Sequence, residues 1–493
     1  MSEQISRRQF MGGALAATIV VGFDRQTRSW VTKDEVAYAR PSKGFPEFDG
    51  VVVTDEASLN AAADDYGHIV HRKPMAVLKP KNSEDVAKMV KFAHQNGIKV
   101  AARGQGHSTQ GQSQVDAGVV IDLTSMANIH EIEHDEIVVD AGIKWLDLLR
   151  TTFAQGLTPP ALTDYISLSV GGVLSVGGLA SQSPWKGGLV DNVLELEVVT
   201  GKGKIEECSP QKKSELFNAV RSGLGQFGII TRAKLRLTRA PRMTRLYHAF
   251  YDNLTTFLAD LELLLDDQRF DTLQGFVFPS ESGGWQYQLE ANKYFDPAPQ
   301  PNDGELLAGL SFVPGTQTAQ NLPFFTGDLN NAGFTDRLEP LVQFLISIGV
   351  WGLPHPWINV FVPSTTAEPF ISGALAQTNA ENTGQGVISI YPYNRSVFNT
   401  PFFRVPETSH FFLFALLRNA IPPTAERSQE LIALNRQLFE QVKAAGGMRY
   451  PVDSVPMTQQ DWRDHFGPMW ETFAMSKRFF DPENLLAPGQ GIF

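Results

Sequence analysis

Hydrophobic positions along this chain switch between two periods. Met75 to Pro80 is a short apolar run closed by a proline, the pattern of a buried strand. Val86, Met89, Val90 and Ala93 then recur at helical spacing, with Ser83 placed to cap the helix start and Gly97 to stop it. Ile98 to Ala102 returns to the strand pattern. Further on, Leu246 to Tyr251 alternates aromatic and smaller residues as a half-buried strand does, and a helix is predicted from about Asn253 to Leu265. Val387 to Tyr391 and Phe411 to Leu416 are predicted strands, and Ala425 to Ala444 a long helix. This order predicts an α+β protein: an α/β part first, then an antiparallel sheet with helices on one face.

Directly after the strand Ile98 to Ala102 comes Arg103-Gly104-Gln105-Gly106-His107-Ser108-Thr109-Gln110-Gly111-Gln112. Glycines at 104, 106 and 111 let a backbone turn sharply and bring its N–H groups against an anion. The spacing is not that of a Rossmann dinucleotide loop, because Thr109 stands where the third glycine would be. A histidine, His107, sits inside the loop instead.

Composition narrows the function classes. A chain of 493 residues exceeds one ordinary core, so two domains are expected. The formal charge of -11 argues against a nucleic-acid partner. A single cysteine, Cys208, excludes an internal disulfide and a cysteine-based metal cluster, and no metal site is expected. At the N-terminus, Ser6-Arg7-Arg8-Gln9-Phe10-Met11 has the form of a twin-arginine signal, with Gly12 to Gly22 as its apolar segment. That segment falls short of the roughly 20 apolar residues a membrane span needs. The expectation is export in folded form by the twin-arginine machinery to the periplasm or medium, with no membrane span in the mature chain. Ala37-Tyr38-Ala39 has the small-x-small form of a cleavage site but lies far from the apolar run.

Several runs together extend the picture: the Arg103 to Ser108 loop, Thr163-Asp164-Tyr165 with Val170-Gly171-Gly172, Asn192 to Leu196, Val199 to Gly203, and Gly223 to Arg232. Pro354-His355-Pro356-Trp357-Ile358-Asn359 to Pro363 and the terminal Pro488-Gly489-Gln490-Gly491-Ile492-Phe493 complete the set. On these residues the chain resembles the vanillyl-alcohol oxidase (PCMH-type) flavoproteins and, within them, the cytokinin dehydrogenases. The resemblance implies FAD, joined covalently through His107. It implies that Asp164 faces the flavin and accepts a hydrogen bond from the substrate's amine, where a carboxylate stabilises a developing iminium. An aspartate at that place also caps helices. By the same resemblance Trp357 and Asn359 line the substrate cavity, with Gln274 at its entrance where plant members often carry glutamate. Arg103, Gly104, Gly106, Ser108, Gln112, Ser169, Ser175, Ile230, Tyr450 and Gln490 are carried over as further cofactor contacts.

The domains then run 1–40 (signal and spacer), 45–243 with 443–493 (FAD-binding), and 244–442 (substrate cap). The implied activity is oxidative cleavage of N6-isoprenoid cytokinins to adenine and an unsaturated aldehyde, with hydride passing to flavin N5 and an imine then hydrolysed. Dioxygen or a quinone would accept the electrons. The alternatives are an FAD-dependent oxidase of a sugar, polyol or other alcohol, and an inactive flavin- or cytokinin-binding protein, which would need neither His107 nor Asp164.

Overall fold

The computed structural model describes residues 18–24, 27–33, 45–281, 283–313, 320–322, 325–326, 328–330 and 335–493. Ser6 to Met11 and Ala37 to Ala39 lie outside the described residues. The end of the apolar N-terminal run does not: Val20–Asp24 is a strand paired antiparallel with Ser29–Thr32. Val20 and Phe23 are buried while Val21 is exposed, so this stretch alternates as a sheet edge does. Phe23 packs on Trp30 and on Phe92 of the helix Ser83–Asn96. These residues, read from the sequence as part of a leader, are therefore folded onto the first domain.

That helix begins one residue earlier than its hydroxyl pattern indicates. Asn82, not Ser83, is the cap, its side chain accepting from the Asp85 N–H at 2.9 Å. Ser83 instead donates to Glu197. At the other end Gly97 adopts φ of +61°, the left-handed stop that glycine permits. The strands on either side, Ala76–Lys79 and Val100–Arg103, are not neighbours. Val119–Asp122 lies between them, parallel to both, and Val51–Val53 closes the four-stranded sheet antiparallel to Ala76–Lys79. The glycine loop is thus the connection from Val100–Arg103 into that central strand.

A five-stranded antiparallel sheet stands beside it, in the order Ile205–Cys208, Val193–Thr200, Gly228–Arg236, Glu136–Asp140, Ile129–Ile132. Val199 and Ile229 from this sheet share a core with Ile121 and Leu78 of the first. The C-terminal helices Gln459–Phe466 and Trp470–Phe480 set Trp462, Phe466 and Phe473 into the core that also holds Leu196 and Ala233.

The remaining large sheet is antiparallel throughout. It includes Met243–Tyr251, Trp285–Phe295, Thr272–Pro279, Val387–Asn394, His410–Leu417 and Ile358–Pro363 in that order. Leu254–Asp267, Ser364–Ala376 and Ala425–Ala444 cover one face through Phe257, Leu261, Ile371 and Phe439. Alternation along each strand sends every second residue to the other face. There Thr244, His248, Gln274, Gln288, Glu290, Asn292, Asn359 and Ser389 are polar and all buried. A sheet face that is polar yet shielded from water is the wall of an internal site.

Phe473 is fully buried and stacks on Phe466 at 3.9 Å, with Phe227 at 4.7 Å. Phe473→Ala should lower stability by about 3–5 kcal/mol, read from the urea midpoint. A loss under about 1 kcal/mol would mean the C-terminal helices are only loosely docked.

Candidate flavin and substrate site

The glycine loop is held by a buried acid. Asp65 accepts from the Ser108 hydroxyl at 2.8 Å and from the Gly111 N–H at 2.7 Å, and burial pushes its carboxyl up to about 6. Arg103 turns its guanidinium back to the Asp64 carbonyl. Gly106, at φ of +67°, lies against that guanidinium, where an added Cβ would come within 2.2 Å. Gly104 lies against Ser169 in the same way, its missing Cβ falling 1.9 Å from the Ser169 Oγ. Gln112 braces the loop against the C-terminal segment, donating to the Asp453 carbonyl at 3.0 Å. Gly489, one residue before Gln490, sits on the carbonyls of Gly111, Gln112 and Gln114. Arg103, Gly104, Gly106, Ser108, Gln112, Ser169 and Gln490 are thus gathered around one loop.

His107 is enclosed by aromatic rings. Tyr66 stacks on it at 4.0 Å and on its other face meets His355 at 4.1 Å, while Tyr165 and Trp357 approach His107 at 5.1 and 5.9 Å. Burial, and to a lesser degree the His355 imidazole, lowers His107 to about 3. The imidazole is therefore neutral at any working pH, with a ring nitrogen available as a nucleophile. A cavity of about 500 Å³ opens beside it, lined among others by Arg103, Lys144, Tyr165, Val342 and Trp351.

Asp164 caps no helix. The helix Val170–Leu174 starts at Ser169, and the Asp164 carboxylate instead accepts from the Arg337 guanidinium at 2.9 Å and the Tyr391 hydroxyl at 3.0 Å. Burial raises Asp164, and Arg337 followed by Tyr391 opposes that rise. Glu290 lies near enough to act on both Asp164 and Arg337. Burial works against its charge, but the His248 hydrogen bond at 2.8 Å and the Gln274 amide bring it below the ordinary range.

Gln274 is buried rather than at an open entrance. It is only 2% exposed, because its strand lies inside the sheet with Glu290 as its cross-strand partner. Its amide donates to Glu290, leaving Oε1 buried without a partner. Asn359 Nδ2, Trp357 Nε1 and the Tyr393 hydroxyl are likewise buried and unpaired within the protein. Such atoms cost free energy unless a ligand satisfies them, which fits residues built to hold a cofactor and a polar substrate.

Three carried-over contacts sit differently. Ser175 gives its hydroxyl to the Gly171 carbonyl at 2.8 Å, one helical turn back. Ile230 sets its side chain in the core of the five-stranded sheet, in register with Val198, which leaves the backbone contact expected of it as it was. Tyr450 accepts from the Gly178 N–H at 3.1 Å and stacks on Phe361, which lies on the same side of the sheet as Asn359. Tyr66, His355, Arg337, Tyr391 and Glu290 have no assigned role in the sequence reading. The signal that could have found Glu290 is the polar alternation Gln286, Gln288, Glu290 and Asn292 at every second position.

Family models match this chain over residues 74–209 as an FAD binding domain and over 278–493 as "Cytokinin dehydrogenase 1, FAD and cytokinin binding". Cytokinin dehydrogenase 5 of Oryza sativa subsp. japonica is 37% identical, with 90% of this chain and 91% of that protein covered. The chain belongs to the cytokinin dehydrogenase family. It is an FAD-dependent oxidoreductase of that type. Cytokinin dehydrogenase 4 of Arabidopsis thaliana is 35% identical over 90% of this chain and 92% of its own length. An uncharacterized oxidoreductase of the fasciation locus of Rhodococcoides fascians is 38% identical, covering 89% and 98%. The crystal structure of 6-hydroxy-D-nicotine oxidase from Arthrobacter nicotinovorans has the same two-domain fold, with a TM-score of 0.69 at 22% identity, covering 90% and 98%.

Asp65→Ala leaves the Ser108 hydroxyl and the Gly111 N–H without their acceptor. We expect a loss of about 1–3 kcal/mol in thermal unfolding and a lower flavin-to-protein ratio after purification. An unchanged flavin content would show that Asp65 does not organise the cofactor loop.

Proposed function

We propose that this protein oxidises N6-isoprenoid adenines, cleaving them to adenine and an unsaturated aldehyde. The observation that carries the reading is Asp164, a half-buried carboxylate held by Arg337 and Tyr391 next to Tyr165, whose ring faces His107 at 5.1 Å. The names of the relatives support the substrate class. Aromatic faces suit a purine, and Asp164 has the chemistry to accept the N6–H of the bound amine. When bound, FAD supplies the hydride acceptor at N5, to be reoxidised by dioxygen or a quinone. As hydride leaves the allylic carbon beside nitrogen, positive charge develops on the C–N unit, and the Asp164 carboxylate offsets it or takes the N–H proton. Water then adds to the resulting imine, and the C–N bond breaks to release adenine and aldehyde.

His107 is the proposed point of covalent attachment, supported by its neutral imidazole within the glycine loop. Export by the twin-arginine route is proposed from Arg7 and Arg8 ahead of an apolar run. Among the described residues no helix is long and apolar enough to cross a membrane.

Anaerobic stopped-flow with N6-isopentenyladenine should bleach the flavin absorbance; a flavin reduced by sugars or alcohols but not by this amine would defeat the proposal. Asp164→Asn should keep the flavin spectrum and slow reduction by about two to four orders of magnitude. In His107→Ala, acid precipitation should release the flavin that the parent protein retains.

A further inference from the structure

We propose that Arg337 is the positioning residue that keeps Asp164 ionised and aimed at the substrate amine. This rests on the reading of Asp164 as the group that meets the amine.

Asp164 lies in a coil segment of the FAD-binding part, between Thr163 and Tyr165, and its carboxylate binds no helix start there. Both hydrogen bonds to that carboxylate come from the other domain. Arg337 reaches it from the turn before the helix Glu339–Ser347, and Tyr391 from the strand Val387–Asn394. The tyrosine hydroxyl supplies a hydrogen bond and no charge, so the cation is Arg337, itself only 7% exposed at its side chain. A buried carboxylate without a cation takes up a proton, because desolvation disfavours its charged form. A protonated Asp164 could neither offset the charge of an iminium nor take the N–H proton.

Among the described residues, Tyr391, Tyr393, Tyr294 and Glu290 act on Asp164, and Glu290, Tyr391 and Tyr294 act on Arg337. Glu290 is the second negative charge, with His248 as its own partner. The neutral Gln274 beside Glu290 adds no third one. A guanidinium holds its donors in a rigid planar fork that fixes the direction of a carboxylate, which a lysine ammonium does less well.

The test is the pH dependence of flavin reduction by N6-isopentenyladenine in the flavin-loaded enzyme. Ionised Asp164 is the active form, so the rate falls as pH drops through its pKa. Removing the cation raises that pKa, so in Arg337→Gln the acid limb should move up by about one to three pH units, with the rate recovering at high pH. Arg337→Lys should move it less. A loss equal at every pH, with the limb unmoved, would overturn the proposal, since that is what a merely structural role gives. Should Arg337→Gln fail to accumulate with flavin, infrared difference spectra between the parent protein and Asp164→Asn decide the matter. A carboxylate signal from Asp164 at pH 7 is expected, and a protonated-carboxyl band overturns it. A parent enzyme that this amine does not reduce refutes the proposed function instead, while the infrared result still reports the charge on Asp164.

Discussion

Asp164 and Arg337 meet across the boundary between the two parts of the chain, and the site depends on that meeting. Arg337 is buried and the Asp164 side chain is only 22% exposed, so water does little for either charge and each leans on the other. Separating them would leave two uncompensated charges in a medium that tolerates neither. The pair therefore ties domain docking to readiness for chemistry. The flavin-side residues are complete only when the cap brings its guanidinium and its Tyr391 hydroxyl into place.

The large antiparallel sheet makes this possible by having two unlike faces. One is sealed by helices through Phe257, Ile371 and Phe439 and supplies the rigidity. The other holds glutamine, asparagine, glutamate and histidine away from solvent, and several of their atoms find no partner within the protein. Burying polar groups unsatisfied works against stability. Such a face is retained where a ligand completes it, so the sheet is at once scaffold and recognition surface.

What the sequence makes legible follows from how local each constraint is. The glycine loop is readable because its demands are short-range: Gly106 must lack a side chain for the Arg103 guanidinium to fold back over it. The helix after Asn82 and its glycine stop are readable for the same reason, with an error of one residue at the cap. The central strand Val119–Asp122, inserted between two strands that the helix appears to join, is a matter of tertiary pairing and leaves no local sign. Arg337 and Tyr391 lie 173 and 227 positions from Asp164, and each looks ordinary in its own segment. The polar stripe Gln286 to Asn292 has strand periodicity, but periodicity does not tell a water-facing side from a ligand-facing one. Ser175 shows another limit: a hydroxyl beside glycines reads as free for a phosphate, and the sequence gives no sign of the bond it makes to the Gly171 carbonyl.

The last residues of the chain lie on the first glycine loop. Gly489 fits against the carbonyls of Gly111, Gln112 and Gln114, and Arg72 reaches the carbonyls of both Gly111 and Gly489. Arg72 and Gly489 stand 417 positions apart, so the chain between them must fold before that lining exists. The glycine loop thus takes its shape from a contact of very long sequence range, so its geometry reports on the folding of the whole domain and not on the loop's own residues.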